Sequence, residues 1–190
     1  MVIKLSSSCA LIIADMQNDF MPSGALPVPD AEKIVPALNR YIEIFASRKL
    51  PIFATRDWHP PNHISFKQRG GIWPMHCVKD TAGAELDKAL KIPRSVRIIS
   101  KGTEADKEAY SGFERTDLAR RLEAEGTRCV LIGGVATDYC VKNTALDAIR
   151  LGLDAVVLED AVKGINKGDD AMREMQSEGV RTARIEEIEG

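Results

Sequence analysis

Val130-Leu131-Ile132-Gly133-Gly134-Val135-Ala136-Thr137-Asp138-Tyr139-Cys140 is the stretch whose reading decides the fold. The apolar run from Val130 to Gly133 shows no alternation, as a strand covered on both faces requires. Small residues follow and let the backbone turn, and Thr137 is placed to cap a helix whose first turn carries Cys140. A doubly covered strand that runs directly into a helix is one βα unit of a parallel sheet.

Three further runs of the same kind lie at Ala10 to Ala14, Pro51 to Thr55 and Ala155 to Leu158. Val96 to Ser100 and Val180 to Ile185 add two more strands. Between them, apolar residues recur at helical spacing over Ala31 to Ser47, Ala84 to Leu90, Phe113 to Ala124 and Thr137 to Leu151. This alternation predicts an α/β fold, three-layered α-β-α, with a mainly parallel central sheet of about six strands joined by right-handed crossovers. The chain has 190 residues and no Ser/Gly/Pro-rich tract or block of like charge to divide it, so one domain over residues 1–190 is expected.

The formal charge is −2, and Lys and Arg are nowhere dense enough to track a phosphate backbone, which argues against nucleic acid. Met1 to Ser8 is too short and polar for the core of a secretion signal, and no apolar run approaches a bilayer's thickness. A cytoplasmic protein without membrane contact is expected. The four cysteines, Cys9, Cys77, Cys129 and Cys140, lack paired metal-type spacing. Cys9 and Cys129 adjoin strands and belong to the core.

In doubly wound sheets, ligands gather beyond the carboxyl ends of the strands. That rule singles out Asp15, Arg56 to His59, Lys101 and Gly134 to Cys140. Asp15 reads either as a turn residue or as a general base whose pKa burial would lift. Lys101 alone would be a surface charge; its interest depends on Asp15 and Cys140. Cys140, near a helix start, is either a core thiol or a nucleophile favoured by free N–H groups that can also hold an oxyanion.

All three histidines, His59, His63 and His76, fall in the long segment from Arg56 to Ala82, and Asp57 stands two residues before His59. Loops of such length are usually functional. In extended chain, residues two apart point the same way, so Asp57 and His59 can approach one ion, with His76 closing from across the loop. The alternative is a set of hydrogen-bonded loop histidines. Cys77 would point away in an extended chain and is not counted as a ligand. Trp58 and Trp73 share this loop, while Phe20, Tyr110 and Phe113 stand in or at the edge of others. These scarce aromatics suggest a flat ligand, although Trp58 reads equally well as a loop anchor.

The segments Asp15-Met16-Gln17-Asn18-Asp19-Phe20, Arg56-Asp57-Trp58-His59-Pro60, Trp73-Pro74-Met75-His76-Cys77-Val78, Lys101-Gly102, Tyr110-Ser111-Gly112-Phe113 and Gly134 through Val141 resemble the nicotinamidases, within the isochorismatase-like cysteine hydrolases. The motifs stand in family order. The resemblance implies the isochorismatase-like hydrolase fold, a triad of Asp15, Lys101 and Cys140, and an oxyanion hole formed by the amides of Ala136 and Cys140. It also implies one divalent metal on Asp57, His59 and His76, with zinc favoured and iron or manganese also suited, and no organic cofactor. His63 is left as an optional or outer ligand. Phe20, Trp73, Tyr110, Val135 and Ala136 are implied to contact the substrate, and the Val135–Ala136 peptide to be cis.

The implied activity is hydrolysis of nicotinamide to nicotinate and ammonia through a Cys140 thioester, with pyrazinamide as a further substrate and a place in NAD salvage. Two alternatives stand beside it. One is another cysteine amidase of the superfamily, acting on ureidoacrylate or a carbamoyl amine, against which Asp57, His59 and His76 argue. The other is a metal-dependent module that binds a pyridine carboxamide without turning it over. A homo-oligomer is compatible with the sequence.

Overall fold

The computed structural model describes residues 2–166 and 169–189. Strand β1 (Ile3–Lys4) pairs in parallel with β8 (Ile188–Glu189), tying residues near the two ends of the chain together. The main sheet contains β2 (Cys9–Ala14), β3 (Ile52–Asp57), β4 (Arg97–Lys101), β5 (Cys129–Val135), β6 (Asp154–Lys163) and β7 (Arg181–Ala183). All are parallel, in the order β4-β3-β2-β5-β6-β7. The predicted six-strand parallel sheet is thus observed.

Alternate residues of each central strand face opposite layers. Leu11 and Ile13 of β2 join Leu131, Val156 and Leu158 beneath α1 (Val35–Ser47), which contributes Leu38, Tyr41 and Phe45. Ala10, Ile12 and Ala14 face the other way with Val130, Ile132 and Val157. That second face is covered by α2 (Leu118–Ala124), α3 (Lys142–Arg150) and α4 (Asp169–Ser177), through Leu118, Leu122, Ala145 and Met175. Each large aliphatic side chain so buried contributes roughly 1.5–3 kcal/mol, which is why the strands read as unbroken apolar runs.

The structure departs from the sequence reading of helices in four places. Ala84 to Leu90 is not a helix: only a short turn at Ala82–Ala84 forms. Leu86 bridges Gln17, and the Asp87 amide donates to Met16. The Asp87 carboxylate then takes the Ala89 amide, so tertiary pairing outweighs helical spacing. The helix expected from Phe113 starts only at Leu118, because Arg115 has a left-handed backbone (φ 53°) and Thr116 folds its hydroxyl onto the Gly112 carbonyl. Thr137 does not cap its helix; Ala136 occupies that position, and Thr137–Val141 forms a wide π-type turn leading into α3. Helix α4 was unforeseen, since only Ala171 and Met175 of its nine residues are buried and its pattern is otherwise polar.

Strands β2 and β5 come very close where Gly134 lies beside Ala14. Gly134 has φ 122°, and a Cβ there would sit 2.1 Å from the Ala14 carbonyl oxygen. Gly134→Ala should therefore lose about 1–3 kcal/mol from backbone conformation alone, with the clash added. Denaturant unfolding checks this; an unshifted midpoint would contradict the close approach. No helix among the described residues is long and apolar enough to cross a membrane.

Candidate active site

The strand order reverses between β2 and β5, since β2 leads outward to β3 and β4 while β5 leads the opposite way to β6 and β7. The crevice at such a switch point, beyond the carboxyl ends, is where this architecture opens a ligand site. Asp15 follows β2, Asp57 ends β3, Lys101 ends β4, and Cys140 lies in the turn after β5. Four residues far apart in sequence thus converge because their strands are parallel and in register.

Asp15 is fully buried and left-handed (φ 46°), a conformation that Asp tolerates better than most residues. Its amide donates to the Thr55 carbonyl at 3.2 Å, and the Thr55 hydroxyl donates to Asp15 Oδ1 at 2.6 Å. Oδ2 is buried without a well-directed hydrogen bond, 3.0 Å from Lys101 Nζ. Lys101 is itself buried and reaches Asp57 Oδ1 at 2.5 Å and Cys140 Sγ at 3.4 Å. One ammonium therefore lies among two carboxylates and a thiol.

Burial is the main influence on all four groups. It raises the Asp15 carboxyl, with Lys101 opposing. It raises the Cys140 thiol well above its ordinary range, with Lys101 again opposing and Asp15 adding to the rise. For Lys101, burial works against the charge, but Asp15 and Asp57 more than compensate and hold the ammonium firmly protonated. For Asp57, burial is outweighed by Lys101 and His59 together, so its carboxylate stays ionised. Burial thus favours the neutral thiol at Cys140 and raises the basicity of the Asp15 carboxyl beside it, a pair suited to proton transfer.

The other half of the site lies on the far side of Asp57. Ligand atoms of Asp57, His59 and His76 all lie within 4.8 Å of one another, and all three residues are buried. The Nδ1 atoms of His59 and His76 are paired with the Gly102 carbonyl (2.9 Å) and the Pro74 carbonyl (2.8 Å). Carbonyl partners make those nitrogens the donors, so Nε2 is the atom that each neutral ring would offer to a cation. His59 Nε2 is 3.7 Å from Asp57 Oδ2, the oxygen that Lys101 does not take. Burial lowers the His76 pKa, while at His59 burial is outweighed and Asp57 raises the pKa. Two imidazoles that present Nε2 and one carboxylate oxygen free of Lys101, with their outer partners in place, are a donor set that fits a divalent cation.

His63 is not in that group. Its ring stacks on His59 (centroids 4.1 Å apart), Nδ1 meets the Ser65 hydroxyl and Nε2 meets the Lys107 carbonyl. Burial, followed by neighbouring His59, lowers its pKa to about 4, so it packs as a neutral ring. Cys77 is left-handed (φ 46°) where an extended chain was expected, and its side chain is buried in the core. Cys9 and Cys129 are register partners on β2 and β5, and both are buried there.

The cavity that joins the two halves has an empty volume, mouth included, of about 380 Å³. Phe20, Trp73, Tyr110, Ala136 and Cys140 all line it, with Asp57, His59 and His76. Trp73 Nε1 donates to the Tyr110 hydroxyl at 3.0 Å. Val135 is placed otherwise: its side chain is buried in the core beneath α1, and the Val135–Ala136 peptide is cis. Trp58 lies under the Arg56 guanidinium, 3.5 Å from its ring centroid, and Phe113 packs against the second core face.

Sequence reasoning assigned no role to several residues here. Tyr139 lines the cavity, its ring 4.9 Å from Trp73 and 5.4 Å from Tyr110. Its place immediately before Cys140 was a usable signal. Gln17 is fully buried and grips the Asp57 peptide from both sides, its Nε2 donating to Asp57 O and its Oε1 accepting from Asp57 N, each at 2.8 Å. Glu108, whose carboxyl is raised by burial, also lines the cavity, as do Leu26 and Ile165. No local pattern marks these three.

The sequence and the fold have close counterparts in known proteins. A nicotinamidase of Acinetobacter baylyi is 38% identical, with 94% of this chain and 93% of the relative aligned. The zinc complex of a Pyrococcus horikoshii pyrazinamidase superposes with a TM-score of 0.91 at 54% identity, over 94% of this chain and 99% of that one. A protein of L. infantum solved in complex with nicotinate also gives 0.91, at 35% identity over 100% and 99%. The isochorismatase domain model matches residues 9–187. The chain belongs to the isochorismatase-domain family.

Proposed function

We propose that this protein is a metal-dependent nicotinamidase that hydrolyses nicotinamide to nicotinate and ammonia, acts on pyrazinamide as well, and serves NAD salvage. The observation that carries the reading is Lys101, whose single buried ammonium touches the thiol, its neighbouring base and the carboxylate that faces the candidate metal site. The likeness to nicotinamidases over most of the chain supports it.

Asp15 takes the proton of Cys140 while Lys101 offsets the anionic charge. The thiolate attacks the carboxamide carbon. The amides of Ala136 and Cys140 are assigned to the tetrahedral oxyanion, worth roughly 2.7–4 kcal/mol per donor. As the C–N bond breaks, protonated Asp15 passes its proton to the departing nitrogen and ammonia leaves. Asp15, again a base, then deprotonates a water that opens the thioester, giving nicotinate and returning the proton to sulfur. Phe20, Trp73 and Tyr110 hold the ring in a fixed plane, which lowers the entropy cost of attack. Asp57, His59 and His76 would hold a divalent cation, zinc being the natural choice, which supplies a Lewis-acid anchor for a ring nitrogen.

Purified protein should release ammonia from nicotinamide and pyrazinamide but not from carbamoyl amines or ureidoacrylate. A preference for the carbamoyl compounds would replace this reading with that of another amidase of the family. His76→Ala should retain at least about 10-fold less zinc by elemental analysis, with KM raised. Equal zinc in variant and wild type would remove His76 from the ligand set.

A further inference from the structure

We infer that Asp19 is a positioning residue that fixes the ring-binding end of the cavity, acting through His76, Phe20 and Leu26 without touching substrate. The inference rests on the amidase reading above and assigns a role to a carboxylate that the chemistry itself does not use. Asp19 Oδ2 accepts the Cys77 amide at 2.7 Å, and Oδ1 accepts the Ala25 amide at 3.2 Å. Its own carbonyl accepts the Leu26 amide at 2.9 Å.

These bonds reach two parts of the cavity wall, and the chain itself links Asp19 to a third. Cys77 follows His76 directly and is left-handed, so the bond to Asp19 fixes the turn that aims the His76 ring. The carbonyl of Cys77 in turn accepts the His59 amide at 3.0 Å, so one peptide residue is gripped between Asp19 and the second candidate ligand. Phe20 is the next residue in the chain, with its ring 5.7 Å from that of His76. Leu26 is drawn in by the bonds at Ala25 and Leu26, and it lines the cavity beside Phe20.

The surroundings leave the carboxylate little freedom. A Cβ on Gly83 would lie 2.3 Å from Asp19 Oδ2, so glycine is needed there for the loop to pass over the acid. The neighbouring Asn18 donates to the Ala82 carbonyl at 2.7 Å and closes the same junction from the other side. The nucleophile end is held by different bonds, those of Asp15 to Thr55 and Lys101. Loss of Asp19 should therefore separate the two ends of the site.

The test compares wild type, Asp19→Ala and Asp19→Asn by zinc titration against a chromogenic chelator, by KM for nicotinamide, and by the rate at which iodoacetamide alkylates Cys140. Asp19→Ala should bind zinc about 10–100-fold more weakly and show a raised KM, with the alkylation rate close to wild type. Asp19→Asn keeps one acceptor oxygen and should fall between the two; should the alanine variant not fold, this intermediate affinity carries the test. Wild-type zinc affinity in both variants overturns the inference, as does a fall in alkylation matching the loss of zinc. A wild-type protein that binds no zinc overturns the metal reading along with it.

Discussion

Cys140→Ala is expected to release no ammonia from nicotinamide above background while keeping its fold and the metal content of the wild type. The side chain is 6% exposed and small, so its truncation leaves a minor void and a modest stability loss. The catalytic loss is of another order. Without sulfur there is no thioester, and only binding and oxyanion stabilisation remain, so turnover should fall by about 10⁴-fold or more. Cys140→Ser should be nearly as inactive, because an alkoxide is far harder to form beside a base of Asp15's strength. Ammonia release read over hours, with elemental analysis of the same sample, decides the matter. Residual turnover above about one per cent in the alanine variant would mean that another group attacks the amide.

Lys101→Met should remove activity and destabilise the protein as well. The methionine keeps most of the aliphatic stem, so packing is largely preserved. What disappears is the cation between two buried carboxylates, Asp15 at 0% and Asp57 at 5% exposure. Breaking a buried ion pair from one side typically costs about 3–5 kcal/mol, which for a chain of this size lowers Tm by roughly 6–20 °C. Adding Asp15→Asn neutralises one of the abandoned charges and should recover part of that loss without restoring turnover. Calorimetry on the single and double variants tests it. A single variant with unchanged Tm would mean that the charges are solvated or protonated, contrary to the burial described.

How much of this the sequence discloses depends on whether a feature is local. The apolar runs of β2, β3, β5 and β6 are legible because burial on both faces demands them. Asp15, Lys101 and Cys140 are legible as strand-end residues once the sheet is read as parallel. Histidines gathered in one loop suggest a cation before any coordinates exist. By contrast, Leu86 pairs with Gln17 across the fold, and nothing near residues 84–90 signals that this contact will prevail over helical spacing. Gln17 and Asp19 lie inside a motif visible in the sequence, yet what they hold, Asp57 and Cys77, is known only when distant strands and loops meet. His63 misleads for the opposite reason: it shares its loop and chemistry with two candidate ligands, but both its nitrogens are taken by protein partners.

The position of β2 in the sheet bears on how the protein is made. It is the first strand of the main sheet to leave the ribosome, yet it finishes at the centre, and its second neighbour, β5, is synthesised more than a hundred residues later. Until β5 arrives, one edge of Cys9–Ala14 is an unpaired apolar template of the kind that recruits other strands. Nascent chains halted before Cys129 should therefore be chaperone clients, and truncated products should aggregate instead of persisting as partly active fragments. The same arrangement ensures that the Asp15 carboxyl, the Lys101 ammonium and the Cys140 thiol can meet only once residue 140 has been made.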